Sequence, residues 1–244
     1  PAFVNGFDGP DGLSYLRSLP YVDKQKIGLE GHSMGGWAVQ MAAAATPADY
    51  QAMVLAGSST GTFGAPEGTK DTPKNLLLIF SRFDEFSDFM WGVNIPADIV
   101  DSNKLKTVFD TTSRIEVGKR YGNLSLGNAR QLEMPSVTHP GDHLSVDTIG
   151  AALDWFDLAL EHDSQLGSSR QVWYWKELGT LIALIGLALL IFPTVDLLIS
   201  LHIFNSIKKE PMLASKPSGL RLSIALTMII PVLTFFPLQT VADL

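Results

Sequence analysis

The chain has 244 residues and a net charge of −7, with a sequence pI of about 5.1, so its electrostatics give no reason to expect a nucleic-acid partner. It has no cysteine, which excludes disulfides, zinc–thiolate sites and a cysteine nucleophile together. Only 18% of residues are charged and mean hydropathy is +0.17, with the apolar excess concentrated in residues 178–244.

The chain begins at Pro1 and shows no signal peptide, which reads as a fragment whose natural N-terminus lies upstream. Leu13, Leu16 and Leu19 recur three apart and Pro20 follows, so residues 11–19 are predicted as a helix. A short buried strand is expected over 26–30, running directly into Gly31-His32-Ser33-Met34-Gly35-Gly36. Residues 34–45 form the next helix, with Ala38, Met41, Ala42 and Ala45 on one face. Further strands are expected at 52–56 and 76–80, the second apolar at every position, as a parallel strand covered on both faces requires. A Gly/Pro/Thr-rich loop over 60–73 separates them, and a fourth strand is expected at 130–134. Ser145 and Asp147 open an amphipathic helix that carries Ala152, Trp155, Phe156 and Leu160. Strands alternating with helices predict an α/β domain with a parallel sheet over residues 1–165.

Residues 165–170 are polar and mark the domain boundary, with 166–177 as a linker to a membrane segment over 178–244. Two uncharged runs, 178–195 and 222–241, are each long enough to cross about 30 Å of hydrocarbon at about 1.5 Å per residue, so two transmembrane helices and a lipid-bilayer partner are expected. Lys208, Lys209, Lys216 and Arg221 between the runs, against the single acid Glu210, favour a cytoplasmic connection. The flank before the first run has only Arg170 and Lys176, with Glu177, so the globular domain is expected to face away from the cytoplasm. Pro193 and Asp196 interrupt the end of the first run.

Gly31-His32-Ser33-Met34-Gly35 fits G-x-S-x-G, in which a serine stands on a strained turn between strand and helix. Glycines at 31 and 35 relieve collisions across that turn and leave the Ser33 hydroxyl projecting. The helix that follows aims its N-terminus at the site, so the backbone N–H of Met34 is an oxyanion donor. A serine nucleophile needs a base and an acid that orients it. Asp84, four residues past the third strand, is the candidate acid, with Glu85 and Asp88 as competitors nearby. Of five histidines, His32 lies inside the elbow and is expected by its position to point away from Ser33. His162 ends a helix and His202 falls in the membrane segment, leaving His139 and the alternative base His143 after the fourth strand.

The order Ser, Asp, His is that of α/β-hydrolases, and residues 22–36 resemble the nucleophile elbow of that superfamily, especially its dienelactone-hydrolase-like and esterase-like branches. Residues 132–139 resemble the family's last strand, turn and catalytic histidine. The resemblance implies the C-terminal half of an α/β-hydrolase sheet, a triad of Ser33, Asp84 and His139, and first strands upstream of Pro1 with the second oxyanion donor. It also implies cleavage of a small-molecule, lipid or peptide ester or amide through an acyl-enzyme, with no metal or organic cofactor. Two alternatives stand beside it: an acyltransferase with the same triad, and a non-catalytic binding or sensory module. Phe86, Phe89, Met90 and Trp91 are expected either to wall an acyl site or to pack a small subdomain.

Overall fold

The strands β1 (Gly28–His32), β2 (Ala52–Ala56), β3 (Leu76–Ile79), β4 (Arg120–Tyr121) and β5 (Arg130–Glu133) form one sheet in the order β1-β2-β3-β5-β4. The computed structural model describes residues 6–162, 164–204, 223–231 and 234. It divides into two units, Pro1–Val172 and Trp173–Leu244.

In the first unit, β1, β2, β3 and β5 are parallel; α1 (Gly9–Ser18) precedes β1, α2 (Met34–Ala45) connects β1 to β2, α3 (Ser87–Trp91) and α4 (Asn103–Val108) lie between β3 and β4, and α5 (Val146–Ala159) follows β5. The expected all-parallel sheet is corrected in one place, because β4 pairs antiparallel with β5 and makes the sheet mixed. A two-residue strand has no period for a sequence to display. Gly118 and Gly122, at φ 78° and 71°, supply the left-handed turns that bring it alongside.

Alternation along β2 sorts the core into two layers. Met53 and Leu55 join Leu76, Leu78, Leu132 and Trp37 on one face. Ala52, Val54 and Ala56 join Leu77, Ile79 and Trp155 on the other. The small residues face α5, which lets that helix approach closely, and Phe156 sits where a Cβ on Gly28 would come within 2.4 Å of its ring. Ser145 caps α5 by accepting from the N–H of Thr148, and Trp155 Nε1 donates to the carbonyl of Asn75 at 2.9 Å. Each fully buried Leu or Met contributes about 1.5–3 kcal/mol, so these two layers are the main stabilising term.

Arg130 opens β5 fully buried, 1% exposed. Its guanidinium donates to the carbonyls of Val108, Ala129, Thr69 and Lys70, tying the end of α4 and the loop after β2 to the sheet. Burial pushes its pKa down to about 10, against the opposing pull of Tyr50 and Asp71, so it stays charged at neutral pH.

In the second unit, α6 (Trp173–Ser200) is 28 residues long, and it is the one helix among the described residues long and apolar enough to cross a membrane. The helix runs on through Pro193 and Asp196, which interrupt the apolar run without ending the helix, although a proline removes its own backbone donor and crowds the carbonyl four residues back. The second apolar run lies outside the described residues except at 223–231 and 234, which are helical. The cationic connection before it lies outside them too.

Candidate active site

β1 ends two residues later than expected and delivers the chain straight into Ser33. Ser33 stands at φ 54°, ψ −122°, a conformation that costs a non-glycine residue of order 1–3 kcal/mol and persists only where its surroundings enforce it. They do so with backbone: the Ser33 N–H donates to the Ala56 carbonyl at 3.0 Å, and its own carbonyl accepts from Gly36 N and Ser58 Oγ. The steric demand for glycine falls on Gly31, where a Cβ would meet the Gly35 carbonyl carbon and oxygen at 2.2 Å. It falls also on Gly36, where a Cβ would meet Ser58 Oγ at 2.3 Å, whereas at Gly35 a Cβ would meet nothing within 4 Å. Met34 is the first residue of α2, where a backbone N–H has no partner within the helix and the dipole favours negative charge.

The next part of the site is built by register. Beyond Ile79↔Glu133 the chains of β3 and β5 stay side by side. Phe80 N donates to Glu133 O, Arg82 N to Pro135 O and Phe83 N to Val137 O, and Phe83 bridges Thr138 in parallel. Asp84 and His139 are the next residues along each chain, 55 positions apart in sequence. His139 Nδ1 and Asp84 Oδ2 meet at 2.9 Å. Asp84 is buried, and its other oxygen accepts the Phe86 N–H at 2.9 Å. The two competing acids take other positions. Glu85 accepts the backbone N–H of His139 at 3.2 Å, and Asp88 lies exposed in the first turn of α3.

Burial by itself pulls the His139 imidazole toward neutrality, but the hydrogen bond and charge of Asp84, with Glu85 and Asp142 adding, outweigh it. The net effect holds its pKa above the usual 6.5. Its ring lies over Gly57, where a Cβ would come within 2.9 Å of Nδ1, and Gly57 follows Ala56, the residue bonded to Ser33. The structure thus joins Asp84 to His139 and sets both at the strand ends that carry Ser33. Among the described residues Ser33 makes no direct hydrogen bond to His139, and in free enzymes such bonds often tighten only when substrate arrives. His143 is exposed, with its ring 4.0 Å from that of His32 and no carboxylate bonded to it among the described residues.

The aromatic segment divides. Met90 and Trp91 are buried in the core, Trp91 donating to the Ser58 carbonyl at 3.0 Å. Phe86 and Phe89 are about half exposed. Phe86 sets its edge on the His139 ring at 4.8 Å, and Phe89 clusters with Phe63 and with Trp37 of α2. Exposed Met34 extends this apolar rim to the nucleophile. Sequence reasoning gives no role to His32, Ser81 and Asp142. Yet His32 Nε2 lies 3.0 Å from the His139 carbonyl, and Asp142 is a buried carboxylate bonded by Ser81 and Thr148. Three histidines at 32, 139 and 143, with Asp142 between the last two, are the only signal the sequence holds of that cluster. Among the described residues no group of His, Asp and Glu is arranged to hold a metal ion.

Residues 8–62, from α1 through the elbow to the loop after β2, match the prolyl oligopeptidase family, Peptidase_S9. The match supports the α/β-hydrolase superfamily and a serine-hydrolase type of protein, and the mixed α/β sheet with its helices fits that fold. No curated protein and no solved structure matches the chain.

Proposed function

We propose that the first unit is a serine hydrolase that cleaves an ester or amide through an acyl-enzyme. One observation carries the reading. A buried carboxylate and an imidazole are brought into hydrogen bond by strand register, at the same end of the sheet as a serine held in a strained strand–helix turn. Ser33 Oγ attacks the carbonyl while His139 Nε2 takes its proton. Asp84 holds the Nδ1–H tautomer and stabilises the imidazolium, and the Met34 N–H faces the oxyanion. The imidazolium then protonates the leaving oxygen or nitrogen. Water, deprotonated by the same ring, releases the acid and restores Ser33. None of these steps draws on a cofactor. The rim of Met34, Phe86, Phe89 and Phe63 favours a small-molecule, lipid or peptide substrate with an apolar group beside the scissile bond.

A fluorophosphonate probe tests this. It should label Ser33 in the full chain, the oxygen displacing fluoride from phosphorus. Ser33→Ala should abolish labelling and lower ester turnover by about 10⁴-fold or more. Labelling that survives the substitution rejects the assignment. We propose further that α6 anchors the enzyme in a bilayer with the catalytic unit facing away from the cytoplasm.

A further inference from the structure

His32 precedes the proposed nucleophile and ends β1. Its Nε2 lies 3.0 Å from the carbonyl oxygen of His139, and since a carbonyl only accepts, Nε2 carries the hydrogen. The His139 backbone is therefore held at both polar groups. Its N–H goes to Glu85, beside the proposed acid, and its C=O goes to the residue next to the proposed nucleophile.

The His32 ring is not simply wedged in place. It borders a cavity of about 120 Å³ shared with Glu30, Asp142 and His143, so packing leaves it room and hydrogen bonding sets its direction. Gly57 makes the approach possible, because a Cβ there would come within 3.0 Å of both His32 Nε2 and His139 Cε1. Asp142 closes the arrangement. Its Oδ1 accepts from Ser81 and Thr148, while Oδ2, with no hydrogen-bond partner among the described residues, lies 3.7 Å from His32 Nε2. Ser81 in turn accepts the Asp84 N–H through its carbonyl at 3.1 Å. The Asp142 N–H also donates to the His139 carbonyl at 3.4 Å, so one connected set of bonds reaches the serine turn, the acid turn and the base loop. Burial first, and then the neighbouring His143, push the His32 pKa down to about 4, so the ring is neutral at working pH and keeps a fixed donor.

We propose that His32 is a positioning residue that aims the catalytic imidazole by tying the His139 backbone to the nucleophile's own turn. The inference rests on the serine-hydrolase reading above. Misplacing a reacting group by about 1 Å can cost about 10²-fold in rate, which is the scale of effect at stake.

The experiment compares two amides of different reach. In His32→Gln the side-chain nitrogen falls near the place of Nε2, and in His32→Asn it stops near that of Nδ1. The full-length chain is assayed on a p-nitrophenyl ester alongside the fluorophosphonate labelling rate. His32→Asn should lower kcat and the labelling rate by about 10²-fold with KM changed less than about threefold, and His32→Gln should recover to within about tenfold of the parent. A structural role alone would not separate the two amides or leave KM untouched. A His32→Asn chain with parental kcat, or a folded His32→Gln chain as impaired as His32→Asn, overturns the proposal. Should His32→Asn fail to show a cooperative melt, His32→Gln decides: near-parental kcat supports the role and a hundredfold loss rejects it. Parent protein that the probe does not label at Ser33 rejects the hydrolase reading and this inference with it. Normal parental labelling separates the two.

Discussion

At the scale of single residues, the electrostatics of His139 dictate a pH profile. The imidazole must be neutral to accept the Ser33 proton, and Asp84 stabilises its charged form. Activity is therefore off at low pH and rises as pH climbs through the His139 pKa. The acid limb of kcat/KM should accordingly sit above 6.5. Asp84→Asn removes the hydrogen bond to the charged ring and the negative charge, leaving burial as the leading influence. The limb should move to lower pH while the rate drops by about 10⁴-fold. A limb that stays in place in that variant dissociates the acid from the base. The two loop histidines separate in the same assay. His139→Ala should cost as much as Ser33→Ala, whereas His143→Ala, which removes a ring tilted against His32, should cost at most about tenfold.

At the scale of elements, Arg130 shows what holds the base-bearing strand in place. Arg130→Leu fills most of the volume but takes a donor from four carbonyls; Ala129 keeps the Leu76 N–H and Thr69 and Lys70 are exposed, so the cost falls on the buried Val108 carbonyl, at about 1 kcal/mol or more. The substitution should lower stability by about 1–3 kcal/mol, read as the chemical-denaturation midpoint of the full chain in detergent, with unchanged midpoint as the contrary result. The elements themselves were legible in the sequence to the degree that their signals are local. α2 and β2 fall on the expected residues because a run of alanines and an apolar pentapeptide speak for themselves. β4 was illegible because two residues, Arg120 and Tyr121, gain their extended form only from β5. Arg130 reads as the charged start of a strand, and only the tertiary fold reveals that it is buried.

At the scale of the whole molecule, the elbow was legible because Gly31, Ser33 and the helix after them are contiguous, so one motif carries the turn. The proposed acid and base depend on register between strands far apart in sequence. Residue order and family resemblance pointed to Asp84 and His139, but spacing did not separate His139 from His143. The role of His32 was not legible, since a position within a motif does not say where a ring turns. Charge distribution around α6 bears on topology. Protease added to intact cells or spheroplasts should cut the polar linker near Gly167 and release the catalytic unit, because the flank before α6 is poorer in Lys and Arg than the segment after it. Cutting only after lysis places the unit in the cytoplasm. The pairing of Phe83 with Thr138 has a further consequence. The chain that leaves the sheet after Phe83 runs through α3 and α4 before β4 and β5 bring it back to Thr138, like a bag drawn shut by its string. The contents, α3, α4, Phe86 and Phe89 among them, are free to be lengthened, trimmed or exchanged over evolutionary time while the proposed acid and base stay where they are. Relatives of this chain should therefore diverge most in what they cleave and least in how they cleave it.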